Sequence, residues 1–122
     1  YDESGKPHLT DGKFISITHS HEFTGIIISD SKEVGIDIEM QRDKILRIAN
    51  KYTPLEEYKT VANADALVRK LTIVWGAKES LYKIYAQHGL SFLHHIDITD
   101  FSLSDSETTG TKVKPPITIL CF

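Results

Sequence analysis

Val34-Gly35-Ile36-Asp37-Ile38-Glu39-Met40 sets an apolar side chain at every second position, the period of a half-buried strand. Upstream, Phe14-Ile15-Ser16-Ile17-Thr18 alternates in the same way, and Thr24-Gly25-Ile26-Ile27-Ile28-Ser29 follows after a short connection at Ser20–Phe23. With Asp30-Ser31-Lys32-Glu33 as the turn into Val34–Met40, the three read as a meander. Downstream the period lengthens. Asp43 can cap a helix from about Lys44 to Lys51, and Thr53-Pro54-Leu55-Glu56 carries the signature of a second start. Asn63 or Asp65 can open a long helix to about Gln87, with Gly89 as its left-handed stop. Leu67, Leu71, Val74, Trp75, Lys78, Leu81, Tyr82 and Tyr85 recur along it at three- and four-residue steps, and only Lys78 is polar. A strand at Ile96–Phe101, a polar loop at Ser102–Lys112 and a last apolar strand at Ile117–Phe122 complete the reading.

The 122 residues fit one domain that needs no disulfide. Cys121 is single and sits in an apolar run, so a buried free thiol and a reducing, cytoplasmic compartment are expected. No apolar stretch approaches the roughly 18 residues that span a bilayer, and no membrane association is expected. The chain begins at Tyr1 and stops inside a predicted strand, so it is expected to be incomplete at both ends.

The net charge of −3 is unevenly spread. Residues 1–43 carry nine acids against four bases, whereas residues 44–83 carry eight bases against four acids. A basic middle in an acidic chain suits a polyanionic small ligand or an acidic partner, or is simply a solvated helical face. No basic run is interleaved with aromatics, so nucleic acid is not expected as a partner.

Three places carry candidate chemistry. On a strand, Asp37 and Glu39 point the same way while Ile36 and Ile38 pack on the other side. Like charges so close call for a cation or a proton between them, and hard oxygen donors suit Mg²⁺. Mn²⁺ tolerates the same ligands. In Trp75-Gly76-Ala77-Lys78-Glu79-Ser80-Leu81-Tyr82-Lys83, Glu79 and Lys83 share a helix face. Glu79 can supply a third metal carboxylate and Lys83 a phosphate contact, or the two form a plain surface pair. Gly5-Lys6-Pro7 and Thr18-His19-Ser20 offer a rigid corner and a hydroxyl–imidazole pair suited to phosphate and nucleotide.

In this order the segments resemble the surfactin-type 4′-phosphopantetheinyl transferases of the holo-acyl-carrier-protein synthase superfamily. The family pattern runs G-K-P, S-H-S, G-I-D-I-E and W-x-x-K-E-S-x-x-K. The resemblance implies an α+β fold, an antiparallel sheet packed by helices, normally built as a pseudo-dimer of two similar halves. Here residues 1–33 would be the connecting segment and 34–122 the carboxy-terminal half, with the amino-terminal half missing. It implies transfer of the 4′-phosphopantetheine of coenzyme A to a serine of an apo acyl or peptidyl carrier protein, releasing 3′,5′-ADP. By resemblance Asp37, Glu39 and Glu79 hold the metal, and His19, Lys83 and the Thr18 hydroxyl contact phosphate. Lys6 and Pro7 form the nucleotide corner. Glu79 or a metal-bound water takes the serine proton. Thr18 stands where the family usually has serine. The missing half would supply the site for the 3′-phosphate. The chief alternative is a non-catalytic coenzyme A or nucleotide binding module, which has no need of three carboxylates. A Mg²⁺-dependent phosphohydrolase is a third reading.

Overall fold

The first two expected strands form a hairpin. Strand β1, Phe14–Ser20, pairs antiparallel with β2, Phe23–Ser29, in unbroken register from Phe14 opposite Ser29 to Ser20 opposite Phe23. His21 turns the chain between them at φ 53°. The computed structural model describes residues 7–54, 58, 63–85, 89–111 and 117–120.

The expected third strand does not join this sheet. Residues 34–40 form no ladder, and hydroxyls from β1 hold them instead. Buried Ser16 accepts the Ile36 N–H at its Oγ, 3.1 Å away, and Thr18 Oγ1 accepts the Ile38 N–H at 3.3 Å. Side chains thus supply acceptors that a neighbouring strand's carbonyls would have offered. The period of two survives because bonded residues alternate with free-facing ones. Ile36 and Ile38 lie over Gly25 of β2, where an added Cβ would meet their terminal methyls at 3.2 and 3.0 Å.

Helix α1, Ile45–Ile48, continues as a 3₁₀ turn over Ala49–Lys51, filling the expected span. Asp43 does not cap it through its side chain. The cap position is Lys44, and the first N–H groups bond three residues back, Ile45 to Arg42, Leu46 to Asp43 and Arg47 to Lys44. Those tight bonds use the donors a cap would have served. The proposed start at Thr53 falls partly outside the described residues. Thr53 itself is buried, its hydroxyl 3.3 Å from that of Tyr58.

Helix α2, Ala64–Tyr85, is the axis of the molecule. Asn63 caps it by accepting the Ala66 N–H at 2.9 Å, and Gly89 takes φ +77° beyond it. The expected end at Gln87 lies outside the described residues. Val68, Leu71, Val74, Ala77 and Leu81 pack with Ile45, Ala49, Ile96, Ile98 and Phe101 in one core. Lys78 lies inside it. Only 2% exposed, its ammonium donates to the carbonyls of Tyr52 at 2.6 Å and Phe92 at 2.7 Å. These charge-assisted bonds tie the chain on either side of α2 to the helix.

Helix α3, Phe92–His95, is capped by Ser91, which accepts the His94 N–H. Strands β3, Asp97–Ile98, β4, Glu107–Thr111, and β5, Ile117–Leu120, form a second antiparallel sheet in that order. The expected strand at Ile96–Phe101 is therefore shorter. The expected polar loop at Ser102–Lys112 contains β4, whose Glu-Thr-Thr-Gly-Thr carries no apolar alternation and is held by pairing on both edges. Cys121 and Phe122 lie outside the described residues. The architecture is α+β with antiparallel sheets and helices. Among the described residues no helix is long and apolar enough to cross a membrane.

Candidate active site

Gly76, Glu79, Ser80 and Lys83 recur at three- and four-residue steps and share one face of α2. Residues 34–40 cross that face. A Cβ on Gly35 would enter the backbone carbonyl of Ser80, so only glycine lets the segment lie this close. A Cβ on Gly76 would stand 3.4 Å from Asp37 Oδ2 and 3.8 Å from Glu39 Cγ. The bare helix surface at Gly76 is the slot into which both carboxylate-bearing side chains fit.

The Asp37 side chain is 7% exposed, and its Oδ2 is buried with no hydrogen-bond partner. Its carboxyl is pushed up to about 8, first by burial, then by the Glu39 carboxyl beside it, which favours a proton shared between the two over two charges, and by the charge of Glu79; Lys83 opposes them. Burial and then the Glu39 charge also raise Glu79. Neighbouring acids therefore disfavour the charged forms of Asp37 and Glu79 in a partly dry place, the condition a divalent cation relieves. Among the described residues no three His, Cys, Asp or Glu side chains stand in a ready-made metal cage. In donor chemistry, though, hard oxygens with one buried and unpartnered fit a hard cation such as Mg²⁺.

Lys83 does not form the plain surface pair with Glu79. Its ammonium reaches off the helix to the Ile36 carbonyl at 2.6 Å, the Ile17 carbonyl at 3.4 Å and Asp37 Oδ1 at 3.4 Å. It joins α2 to β1 and to the Asp37 segment at once. Thr18, expected to face a ligand, is 4% exposed and spends its hydroxyl on Ile38. His19 is exposed on β1 opposite Thr24. Pro7 lines a small cleft with Phe14, Ile15 and Val34, at the other end of β1 from His19, so these two are not brought together. Lys6 lies outside the described residues. One contact had no signal in the sequence: Trp75 Nε1 donates to Glu39 Oε1 at 3.0 Å. Beside it a cleft of about 230 Å³ is lined by Ser20, Glu39, Met40, Arg42, Ile45 and Trp75, among others.

Residues 33–120 match the family described as the 4′-phosphopantetheinyl transferase superfamily. The chain belongs to that superfamily. The match begins just before the Asp37 segment and takes in every residue of the carboxylate cluster. Among curated proteins of this superfamily, the chain is similar to the 4′-phosphopantetheinyl transferase AcpT of Salmonella typhi, with 32% identity over 90 residues. That alignment covers 68% of this chain and 46% of the relative, so the chain spans about half the length of the curated relative it matches.

Proposed function

We propose that the chain is the metal-binding half of a surfactin-type 4′-phosphopantetheinyl transferase, which moves phosphopantetheine from coenzyme A to a carrier-protein serine. The observation that carries this reading is the buried, unpartnered Asp37 oxygen beside Lys83, with Glu39 and Glu79 close enough to perturb it. In this reading Asp37, Glu39 and Glu79 hold Mg²⁺, with Mn²⁺ as a substitute. When bound, the metal draws electron density from the pyrophosphate of coenzyme A. The serine oxygen forms a bond to the phosphorus that carries pantetheine. The bond from that phosphorus to the bridging oxygen breaks, and 3′,5′-ADP leaves with the electron pair. Glu79, raised by burial, takes the serine proton. Lys83 exchanges its carbonyl partners for the phosphate and steadies the charge that develops there. Exposed His19 remains a proposed phosphate contact and Lys6 and Pro7 the proposed nucleotide corner, while buried Thr18 holds the Ile38 segment instead.

A division into a connecting segment, 1–33, and a carboxy-terminal half, 34–122, is supported by the family match from residue 33. A second half packed against β2 is supported by Ile26 and Ile28, 58% and 54% exposed on one side of the hairpin. The deciding experiment incubates the full-length protein with coenzyme A, Mg²⁺ and an apo carrier protein, then weighs the carrier. A carrier of unchanged mass, with coenzyme A bound but intact, would favour the binding module.

Lys83→Ala should lower transfer strongly, and Lys83→Arg should restore it only in part, because a planar fork does not replace a point charge. Normal turnover in Lys83→Ala would remove the residue from the chemistry. The carrier is expected to dock on α1. Lys44, Arg47 and Lys51 are exposed there while Ile45 and Ala49 are buried, which leaves a basic outer side for an acidic helix. Reversing the three bases to Glu should raise the KM for carrier protein, most at low salt, and leave that for coenzyme A nearly unchanged. An unchanged carrier KM at low salt would move the docking surface elsewhere.

A further inference from the structure

Glu39 is the most exposed of the three carboxylates, on a segment that no ladder holds. The backbone bond from Ile38 to Thr18 is one residue away, but it does not fix the long Glu39 side chain. A Glu side chain free to rotate costs entropy when it is recruited as a ligand. Trp75 removes that freedom. Its Nε1–H donates to Glu39 Oε1 at 3.0 Å, from a ring that cannot easily move. Tyr52 meets the indole edge-on at 4.9 Å between centroids, and Phe92 lies against it at 5.2 Å. Phe92 in turn packs on Tyr82 at 5.6 Å, about two helical turns beyond Trp75 on α2. The donor is thus fixed by aromatic packing that does not depend on any ligand.

We infer that Trp75 is a positioning residue, whose indole N–H holds Glu39 toward the shared carboxylate site. An indole N–H only donates, so it cannot itself ligate a cation. Its part is that of a partner which orients a ligating side chain from outside. Next to Gly76, where α2 is bare, the indole stands at the side of the slot that receives Asp37 and Glu39. The helix therefore presents a donor and a gap at adjacent positions.

The inference rests on the metal reading proposed above, and the test separates the two. Mn²⁺ binding to the full-length protein is measured by electron paramagnetic resonance, without coenzyme A. Trp75→Phe keeps an aromatic ring and deletes the N–H. Mn²⁺ affinity should fall about tenfold or more. A second replacement, β-(3-benzothienyl)alanine at position 75, keeps the bicyclic shape without the donor and should give the same loss with an unchanged melting temperature. In a Glu39→Ala background, which removes the acceptor, Trp75→Phe should cost no further affinity, because the two act through one contact. Wild-type Mn²⁺ affinity in both N–H-deleted proteins would overturn the inference while leaving the metal site standing. A further loss in the Glu39→Ala background would also overturn it, since packing alone would then be at work. Failure of the unsubstituted protein to bind Mn²⁺ would overturn the metal reading, and the inference with it.

Discussion

Asp37→Asn should abolish most transfer, by on the order of 10²-fold or more, while making the metal-free protein more stable at alkaline pH. The loss follows from the proposed ligand role. The gain follows from the geometry, because the native carboxylate is buried with one oxygen unpaired and two acids near it. Its folded value of about 8 stands above the ordinary 3.8, so between these the folded state holds the extra proton. Stability from this group is therefore complete below about pH 4 and is lost as pH rises through about 8. Denaturation in the presence of a chelator should show that decline in wild type and a smaller one in Asp37→Asn. Adding Mg²⁺ at pH 8 should restore wild type and not the variant. Near-normal turnover in folded Asp37→Asn would sink the three-carboxylate site. Lys83 does not cancel the cost, since its ammonium is shared with two carbonyls and stands 3.4 Å from the carboxylate.

Gly35→Ala should be nearly as damaging, without touching a charged group. Its Cβ would collide with the Ser80 carbonyl, which is helix backbone and cannot give way as a side chain can. Overpacking of this kind costs about 1–3 kcal/mol. Relief requires residues 34–40 to lift away from α2, carrying Asp37 and Glu39 off Glu79. A displacement near 1 Å at a reacting site can cost on the order of 10²-fold in rate. Gly25→Ala is the useful comparison, because the atoms it would meet are the methyl ends of Ile36 and Ile38 and the Thr18 methyl, at 3.0 to 3.2 Å. Its effect should be smaller in both melting temperature and turnover. Equal melting and activity for Gly35→Ala and wild type would mean that the close crossing is not needed.

The carboxylate pattern was legible because it is local. Spacing of two put Asp37 and Glu39 on one side, and spacing of four put Glu79 beside Lys83, whichever partners the fold later supplied. The long helix was legible for the same reason: Asn63 as cap, apolar steps of three and four, and Gly89 beyond its end are features of a short stretch of chain.

The hairpin and the long helix follow from neighbours within a few residues, and so does the shared side of Asp37 and Glu39 along their segment. The remaining features depend on partners far away in the chain. Residues 34–40 are held by the hydroxyls of Ser16 and Thr18, twenty positions back, in place of a ladder. Glu107–Thr111 is a strand because β3 and β5 flank it, with no alternation of its own to announce it. Lys78, one polar residue in an apolar stripe, is buried because two distant carbonyls receive its ammonium. Lys83 and Trp75 likewise take partners 36 to 66 residues away. A polar side chain's partner is fixed by where the folded backbone leaves an unpaired donor or acceptor, and no local period encodes that.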